Sequence, residues 1–296
     1  MFKLRRPLAA LSALFVTLLS PQANAQQAEQ TVRPALWKVA DADTTIYLFG
    51  TIHALPAGVP WYRDKVAVAF EESKELVTEI VDEDQAAVQK AVMATAVLPA
   101  GKTLRGLMTP EERAKYEAGL TQAGVPAATF DQVEPWFAAI TLAVLPLAKD
   151  GLMPENGVEG ALGARAKTLG HQHGALETAE YQLGLFDSLS PDVQKRFLME
   201  VVENLPNVTT DLGRIIDAWK TGDVDTVGKL MKEQDDDPAV TEAIVYQRNR
   251  AWADWIKNRL DQPGNVFIAV GAGHLAGTGS VQDELKARGI TATRLQ

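Results

Sequence analysis

The sequence contains no cysteine among its 296 residues. Disulfide bonds, thiolate nucleophiles and thiolate metal sites are therefore excluded. Histidine is also scarce, with four residues in the chain, so a function that needs an imidazole has very few positions from which to take it. The apolar run at residues 8–19 has only about 12 residues, too few to span a bilayer comfortably.

Lys and Arg are outnumbered by Asp and Glu, 29 to 38, and three of the cations lie in a segment that resembles a leader. Lys3, Arg5 and Arg6 precede the apolar run, and Ala23-Asn24-Ala25 fits a small-x-small cleavage site. This order predicts a secretory signal peptide over residues 1–25, cleaved after Ala25, and hence a periplasmic or secreted protein. The alternative is an uncleaved N-terminal anchor, although we expect no stable membrane span after cleavage.

The mature chain, residues 26–296, is strongly acidic. Loss of three cations and no acidic residue changes the formal net charge from −9 to −12. Such a chain is repelled by phosphate backbones and by anionic lipid, which argues against a nucleic-acid partner. We expect a peptide or a small molecule as the ligand.

Two apolar runs end in the same way, with a glycine three residues before a histidine. They are LFGTIH (residues 48–53) and FIAVGAGH (residues 267–274). Both runs read as strands, and ligands of open α/β sheets bind beyond the carboxyl ends of the strands. Gly50 and Gly271 would let the backbone turn or approach a ligand closely. We therefore predict that His53 and His274 meet at one site.

The pattern of elements predicts an α/β (α+β-like) fold, a central mixed sheet built from both chain ends with a large helical insertion. A β-hairpin is expected over residues 36–49, a helix over 64–74 and a strand over 76–80. Residues 84–260 read as mostly helical, with long helices at 126–147 and 238–260 and a short strand near 174–177. A strand at 266–270, a helix at 280–288 and a strand at 291–295 close a single domain spanning residues 26–296.

The two middle strands of this scheme also end on ionisable residues, Glu79 and Glu177. Two neutral imidazoles with one or two carboxylates suit divalent ions such as Zn²⁺, Mn²⁺ or Co²⁺. A metal with an open position lowers the pKa of bound water, and a carboxylate off the metal can act as general base. We predict His53, His274 and Glu79 as metal ligands, with either acid as the base.

Further polar residues have two interpretations each. Arg248 lies either on a solvated helix face or as a clamp on an anionic group of the substrate. Tyr181 and Gln182 would line the same pocket. His171 and His173 share one side of an extended chain and could bind metal, but a surface position at a strand start is the simpler interpretation.

Six segments together resemble the TraB/GumN family, which is distantly related to Tiki-type metalloproteases and to the erythromycin-esterase/ChaN-like group. The segments are LWKV (36–39), LFGTIH (48–53), LVTEI (76–80), GALETAEYQ (174–182), RNRAW (248–252) and VGAGHLAG (270–277). The resemblance implies an active site with His53, Glu79 and His274, and with Glu177 and Arg248 as further polar positions. Relatives often carry Glu-x-Asp after the third strand, whereas here the aspartate is displaced to Asp82.

These observations favour an exported metal-dependent hydrolase, with Mn²⁺, Co²⁺ or Zn²⁺ as cofactor. In Tiki-type relatives the site is associated with metal-dependent peptide cleavage, so a peptide or amide bond is the expected target. One alternative is a non-catalytic periplasmic protein that binds metal, haem or a glycan in the same cleft. Another is an assembly partner in polysaccharide export with a degenerate site.

Overall fold

The structure is a computed structural model that describes residues 32–81, 85–234 and 237–296. The predicted signal peptide, residues 1–25, and the displaced acid Asp82 lie outside the described residues.

Six strands and a series of helices make up the described chain. The strands are β1 (Leu36–Ala40), β2 (Thr44–Thr51), β3 (Glu75–Thr78), β4 (Gln172–Ala175), β5 (Gly264–Gly271) and β6 (Thr293–Arg294). The first helices are α1 (Asp64–Glu72), α2 (Gln85–Thr95), α3 (Pro110–Ala123), α4 (Pro135–Lys149), α5 (Val158–Leu169) and α6 (Ala179–Asp187). The later helices are α7 (Pro191–Asn204), α8 (Val208–Lys220), α9 (Val224–Gln234), α10 (Pro238–Thr241), α11 (Gln247–Arg259) and α12 (Val281–Ala287). Short 3₁₀ turns lie at Leu104–Leu107, Pro154–Asn156 and Ala272–Leu275.

The strands form one mixed sheet in the order β4-β3-β5-β2-β1-β6. Strands β2, β3, β4 and β5 run parallel, and β1 pairs antiparallel with both β2 and β6. C-terminal strand β5 thus lies between the N-terminal strands β3 and β2, with the helices inserted between them in sequence. This arrangement confirms the predicted fold class.

The central strands bury side chains on both faces because successive residues point to opposite sides. Phe49 and Phe267 belong to one buried cluster, which also includes residues of α1, α5 and α8. Leu48 and Ile268 belong to the cluster on the other face, together with Trp252 of α11. Strands covered on both faces are typical of a parallel sheet.

The helical insertion has a buried cluster of its own, built from α3, α4, α7 and the residues that precede α3. The capping box of Thr109 and Glu112 fixes the start of α3,. A stack of Trp136 on Phe186, with ring centroids 5.8 Å apart, connects α4 with α6. Because α6 follows β4 directly, the insertion reaches the carboxyl edge of the sheet.

Several predicted elements differ in their bounds. The helix expected over residues 126–147 begins only at Pro135, since the backbone before it bonds to other chain segments: Ala96 O accepts from Glu134 N, and Asp131 O from Leu104 N. Strand β4 begins and ends two residues earlier than expected, and β6 is only two residues long. The helix expected over residues 238–260 contains a π-helical stretch at Glu242–Tyr246.

Within the described part of the chain, none of the helices combines the length and apolarity needed to cross a membrane.

Candidate functional site

The carboxyl ends of the four parallel strands lie along one edge of the sheet. Strands β2 and β5 are neighbours, and Thr51 pairs with Gly271 at their ends. The ionisable residues beyond the strand ends are His53, Glu79, Glu177 and His274, following β2, β3, β4 and β5. The two Gly-x-x-His segments are therefore adjacent in space.

Three of these side chains converge on Gly271. A methyl group added to its α-carbon would lie 3.3 Å from Glu79 Oε1, 3.4 Å from His53 Nε2 and 3.6 Å from His274 Cδ2. The backbone N–H of Gly271 also donates to Glu79 Oε1 over 2.7 Å. The backbone of Gly271 thus lies between the two imidazoles and the carboxylate, and a side chain there would be in contact with all three.

Arg248 lies at the centre of the cluster. Its Nη2 donates to Glu79 Oε2 over 2.6 Å and to Glu177 Oε2 over 2.9 Å, and its Nε donates to Glu177 Oε1 over 3.1 Å. Its Nη1 donates to His274 Nε2 over 3.1 Å. Arg248 is 6% exposed. It therefore does not lie on a solvated helix face, which was one of the two interpretations of the sequence.

Two further groups complete the shell around the carboxylates. Trp252 Nε1 donates to Glu177 Oε1 over 2.8 Å, and the Gln182 amide donates to Glu177 Oε2 over 3.0 Å and to Glu79 Oε2 over 3.3 Å. Tyr181 is 40% exposed, and its hydroxyl is 3.5 Å from Gln247 Nε2. Of the pair expected to line the pocket, Gln182 contacts the acids, whereas Tyr181 lies at the surface.

His274 is held by a residue that the sequence interpretation missed. Its Nδ1 is 2.7 Å from Asn249 Oδ1, and Asn249 Nδ2 donates to the carbonyl of Gly279 over 2.8 Å. Asn249 lies inside the RNRAW segment, next to Arg248, and is fully buried. Its place beside a charged residue in a helix gave no indication of this contact.

His53 also has a partner that the sequence did not reveal. Its Nδ1 is 2.7 Å from Glu159 Oε1, which also accepts a hydrogen bond from the Thr51 hydroxyl. Glu159 lies in the first turn of α5, where an acid is usual, so it carried no functional signal. The backbone of Val158 donates to Ile52 O over 3.1 Å, which attaches the start of α5 to the His53 loop.

The two histidines have opposite electrostatic surroundings. Burial lowers the pKa of His274 to about 4; the nearby Glu79 opposes this shift, and Arg248 adds to it. Loss of hydration lowers the pKa of His53, but the hydrogen bond and the charge of Glu159 outweigh it and raise the pKa to about 9. The side chain of His53 is 68% exposed, so water screens this pair.

Glu79 is held in its ionised form. Burial raises its pKa, but the charges of His274, Arg248 and His53 and the hydrogen bond from Gly271 together lower it to about 2. With His274 neutral, we attribute the effect mainly to Arg248 and to the Gly271 N–H. The site thus combines a neutral buried imidazole, an ionised carboxylate and an exposed cationic imidazole.

The other two histidines lie apart from these residues. His173 Nε2 is 2.9 Å from the Thr78 hydroxyl. The His171 ring packs on Phe70 with centroids 5.3 Å apart. Across residues 32–81, 85–234 and 237–296, no group of three or more His, Asp and Glu side chains is placed to hold a metal ion.

The predicted ligands do not fit a metal ion in this arrangement. His274 Nε2 and Glu79 Oε2 both accept hydrogen bonds from Arg248, and Glu79 Oε1 accepts from Gly271. A divalent ion beside these atoms would also face the positive guanidinium, so Arg248 would first have to move.

The fold and the site define an α/β protein with a charged histidine–glutamate–arginine cluster beyond the carboxyl ends of its parallel strands. The model of the TraB/PrgY/gumN family matches residues 35–294, and the chain belongs to this family. It is 24% identical to an uncharacterized protein of Treponema pallidum (strain Nichols), over 85% of this chain and 80% of that protein. It is 26% identical to the uncharacterized protein YbaP of Escherichia coli (strain K12), over 64% of this chain and 71% of YbaP. No solved structure matches the chain significantly.

Proposed function

We propose that this protein is an exported hydrolase of peptide or amide bonds in which His53 transfers the proton. The observation that carries the proposal is the His53–Glu159 contact of 2.7 Å at the exposed side of the charged cluster. Glu159 accepts from Nδ1 and so leaves Nε2 directed away from it, near Gly271. A histidine oriented by a carboxylate is a common arrangement for general acid–base catalysis.

The chemistry follows from the two protonation states of His53. The neutral ring takes a proton from water as the water attacks the carbonyl carbon of the substrate. The resulting imidazolium, stabilised by Glu159, gives that proton to the leaving nitrogen, which is a poor leaving group without it. Since the pKa of His53 is raised to about 9, the base form is a minor species at neutral pH. The rate should therefore increase as the pH rises toward that value.

The buried part of the cluster supports His53 rather than performing the transfer. Glu79 and Glu177 both bond to Arg248, and all three side chains have little exposed surface. The charges of Glu79 and Arg248 act on the His53 ring, Glu79 in favour of the imidazolium and Arg248 against it. This differs from the metal-centred mechanism that the sequence favoured, in which His53, Glu79 and His274 bind an ion.

The proposal is tested with residues 26–296, purified without a polyhistidine tag and assayed on a panel of peptide, amide and ester substrates. Each assay is run with EDTA and with added Mn²⁺, Co²⁺ or Zn²⁺. We expect hydrolysis with EDTA present, a loss of about 10²-fold or more in His53→Gln, and a smaller loss in Glu159→Gln. The matched control is Glu155→Gln, an exposed acid four residues before Glu159, in the 3₁₀ turn that precedes α5. Undiminished hydrolysis in His53→Gln would overturn the proposal.

A further inference from the structure

Glu79, Glu177 and His274 are all bonded to one arginine, Arg248, whereas His53 is held by Glu159. We propose that Arg248 takes the place of a divalent cation, and that removal of its guanidinium turns the cluster into a site for Mn²⁺, Co²⁺ or Zn²⁺ formed by Glu79, Glu177 and His274. The inference concerns what these residues bind and does not depend on the hydrolytic activity proposed above.

The first argument is the inventory of acceptor atoms. Glu177 bonds to Arg248 through both oxygens, Glu79 through Oε2 and His274 through Nε2. Carboxylate oxygens and an imidazole lone pair are also the donor set that borderline divalent ions use. The guanidinium therefore uses the same lone pairs that a metal would use.

The second argument is the direction of the His274 lone pair. Asn249 Nδ2 faces the carbonyl of Gly279, which can only accept, so Asn249 Oδ1 must face His274,. His274 then carries its proton on Nδ1 and presents an unprotonated Nε2 toward Arg248. This tautomer is the one that can ligate a metal, and it is set from outside the charged cluster.

The third argument is the charge balance. Glu79 and Glu177 are two buried carboxylates with side-chain exposures of 12% and 4%, and Arg248 supplies one positive charge between them. Replacing the guanidinium by an apolar side chain leaves two buried negative charges unpaired. That arrangement is unfavourable by itself and is relieved by a divalent ion.

Arg248 is also held in a way that makes spontaneous exchange with a metal unfavourable. Its Nη1 donates to Ile244 O over 3.1 Å, in the π-helical stretch that precedes α11. Its guanidinium lies 4.7 Å from the centroid of the Trp252 ring. These contacts do not involve the carboxylates, and they would be lost if the Arg248 side chain moved out of the cluster.

The experiment measures metal content and thermal unfolding after dialysis against EDTA and then against MnCl₂, CoCl₂ or ZnCl₂. The proteins are untagged wild type, Arg248→Met and the double variant Arg248→Met/His274→Ala. Arg250→Met is the matched control, because Arg250 pairs with Glu242 at the surface of the same helical segment. Neither readout requires a substrate.

We expect wild type and Arg250→Met to retain no metal, and the Tm of each protein should be the same with and without added metal. Arg248→Met should retain about one ion per chain and gain several degrees in Tm with metal, because an ion that binds only the folded state stabilises it. The double variant should lose both effects. If Arg248→Met is unfolded without metal, folding on addition of a divalent ion supports the proposal, and failure to fold overturns it. Stoichiometric metal in wild type that is lost in His274→Ala would also overturn it.

Discussion

The side-chain amide of Asn249 determines which nitrogen of His274 faces Arg248. The carbonyl of Gly279 accepts from the amide nitrogen over 2.8 Å, which leaves the amide oxygen 2.7 Å from His274 Nδ1. His274 must therefore donate from Nδ1 and accept at Nε2, where Arg248 Nη1 lies 3.1 Å away. A residue with no contact to the carboxylates thus controls whether the arginine can bond to the imidazole.

The tautomer of His274 should follow the residue at position 249. In Asn249→Leu no acceptor faces Nδ1, so only the Arg248 donor at Nε2 still favours the Nδ1–H form, and we expect its preference to decrease,. Asn249→Asp keeps an acceptor and should keep the Nδ1–H form. Long-range ¹H–¹⁵N spectra distinguish the two tautomers, and with four histidines in the chain the signals can be assigned by single substitutions. If the ¹H–¹⁵N cross-peaks of His274 are unchanged in Asn249→Leu, Asn249 does not determine its tautomer.

The raised pKa of His53 should depend on Glu159. Because the hydrogen bond and the charge of that carboxylate outweigh the loss of hydration, Glu159→Gln should lower the pKa of His53 from about 9 to the ordinary histidine value or below. An NMR titration of the His53 ring measures this directly. Glu155→Gln serves as the control and should leave the titration unchanged. A His53 midpoint that stays near 9 in Glu159→Gln would show that another group supplies the shift.

The position of the site could be predicted from the sequence because strand ends are visible there. Apolar runs of the right length mark β2 and β5, and parallel strands place their carboxyl ends at one edge. That reasoning brought His53, Glu79, Glu177 and His274 to the same edge, which is where the structure has them.

The contacts within the site could not be read from the sequence, since they join residues far apart in the chain. Glu159 follows His53 by more than a hundred positions and resembles an ordinary acid at a helix start. Arg248 looks like a surface residue until its partners just beyond β3 and β4, Glu79 and Glu177, are known. The predicted start of α4 at residue 126 was wrong for a similar reason. Backbone hydrogen bonds to residues 96–104 compete with helix formation before Pro135.

The free energy of unfolding should fall as the pH drops from about 6.5 toward 4, because of His274. Burial lowers its pKa to about 4 in the folded protein, whereas the unfolded chain binds the proton near 6.5. Between these values the unfolded state holds more protons, so stability is complete above the upper value and decreases below it. Glu79, with a pKa of about 2, contributes its own loss only at lower pH.

This effect is measured by urea unfolding of wild type and His274→Gln at pH 7.0, 5.5 and 4.5. Wild type should lose on the order of 2 kcal/mol more than the variant over this interval. The contribution of carboxylates to the pH dependence is the same in both proteins and cancels in the comparison. Parallel pH profiles for the two proteins would show that the pKa of His274 is the same in the folded and unfolded states, which would contradict the prediction.

The close approach at Gly271 should make this position more sensitive than Gly273, two residues away. An alanine methyl at Gly271 would lie 3.3 Å from Glu79 Oε1 and 3.4 Å from His53 Nε2. Glu79 is held by Arg248 and by the Gly271 N–H, and the His53 ring is held through Nδ1 by Glu159. At Gly273 the nearest atom is the terminal methyl of Met231, 3.0 Å away, which can rotate aside,.

We expect Gly271→Ala to lose about 1–3 kcal/mol of stability and Gly273→Ala about 1 kcal/mol or less. Denaturant unfolding gives both values, and ¹H–¹⁵N spectra should show the His53 and His274 rings displaced only in Gly271→Ala. Equal losses, or ring shifts in both variants, would mean that the three side chains can adjust to a methyl group at Gly271.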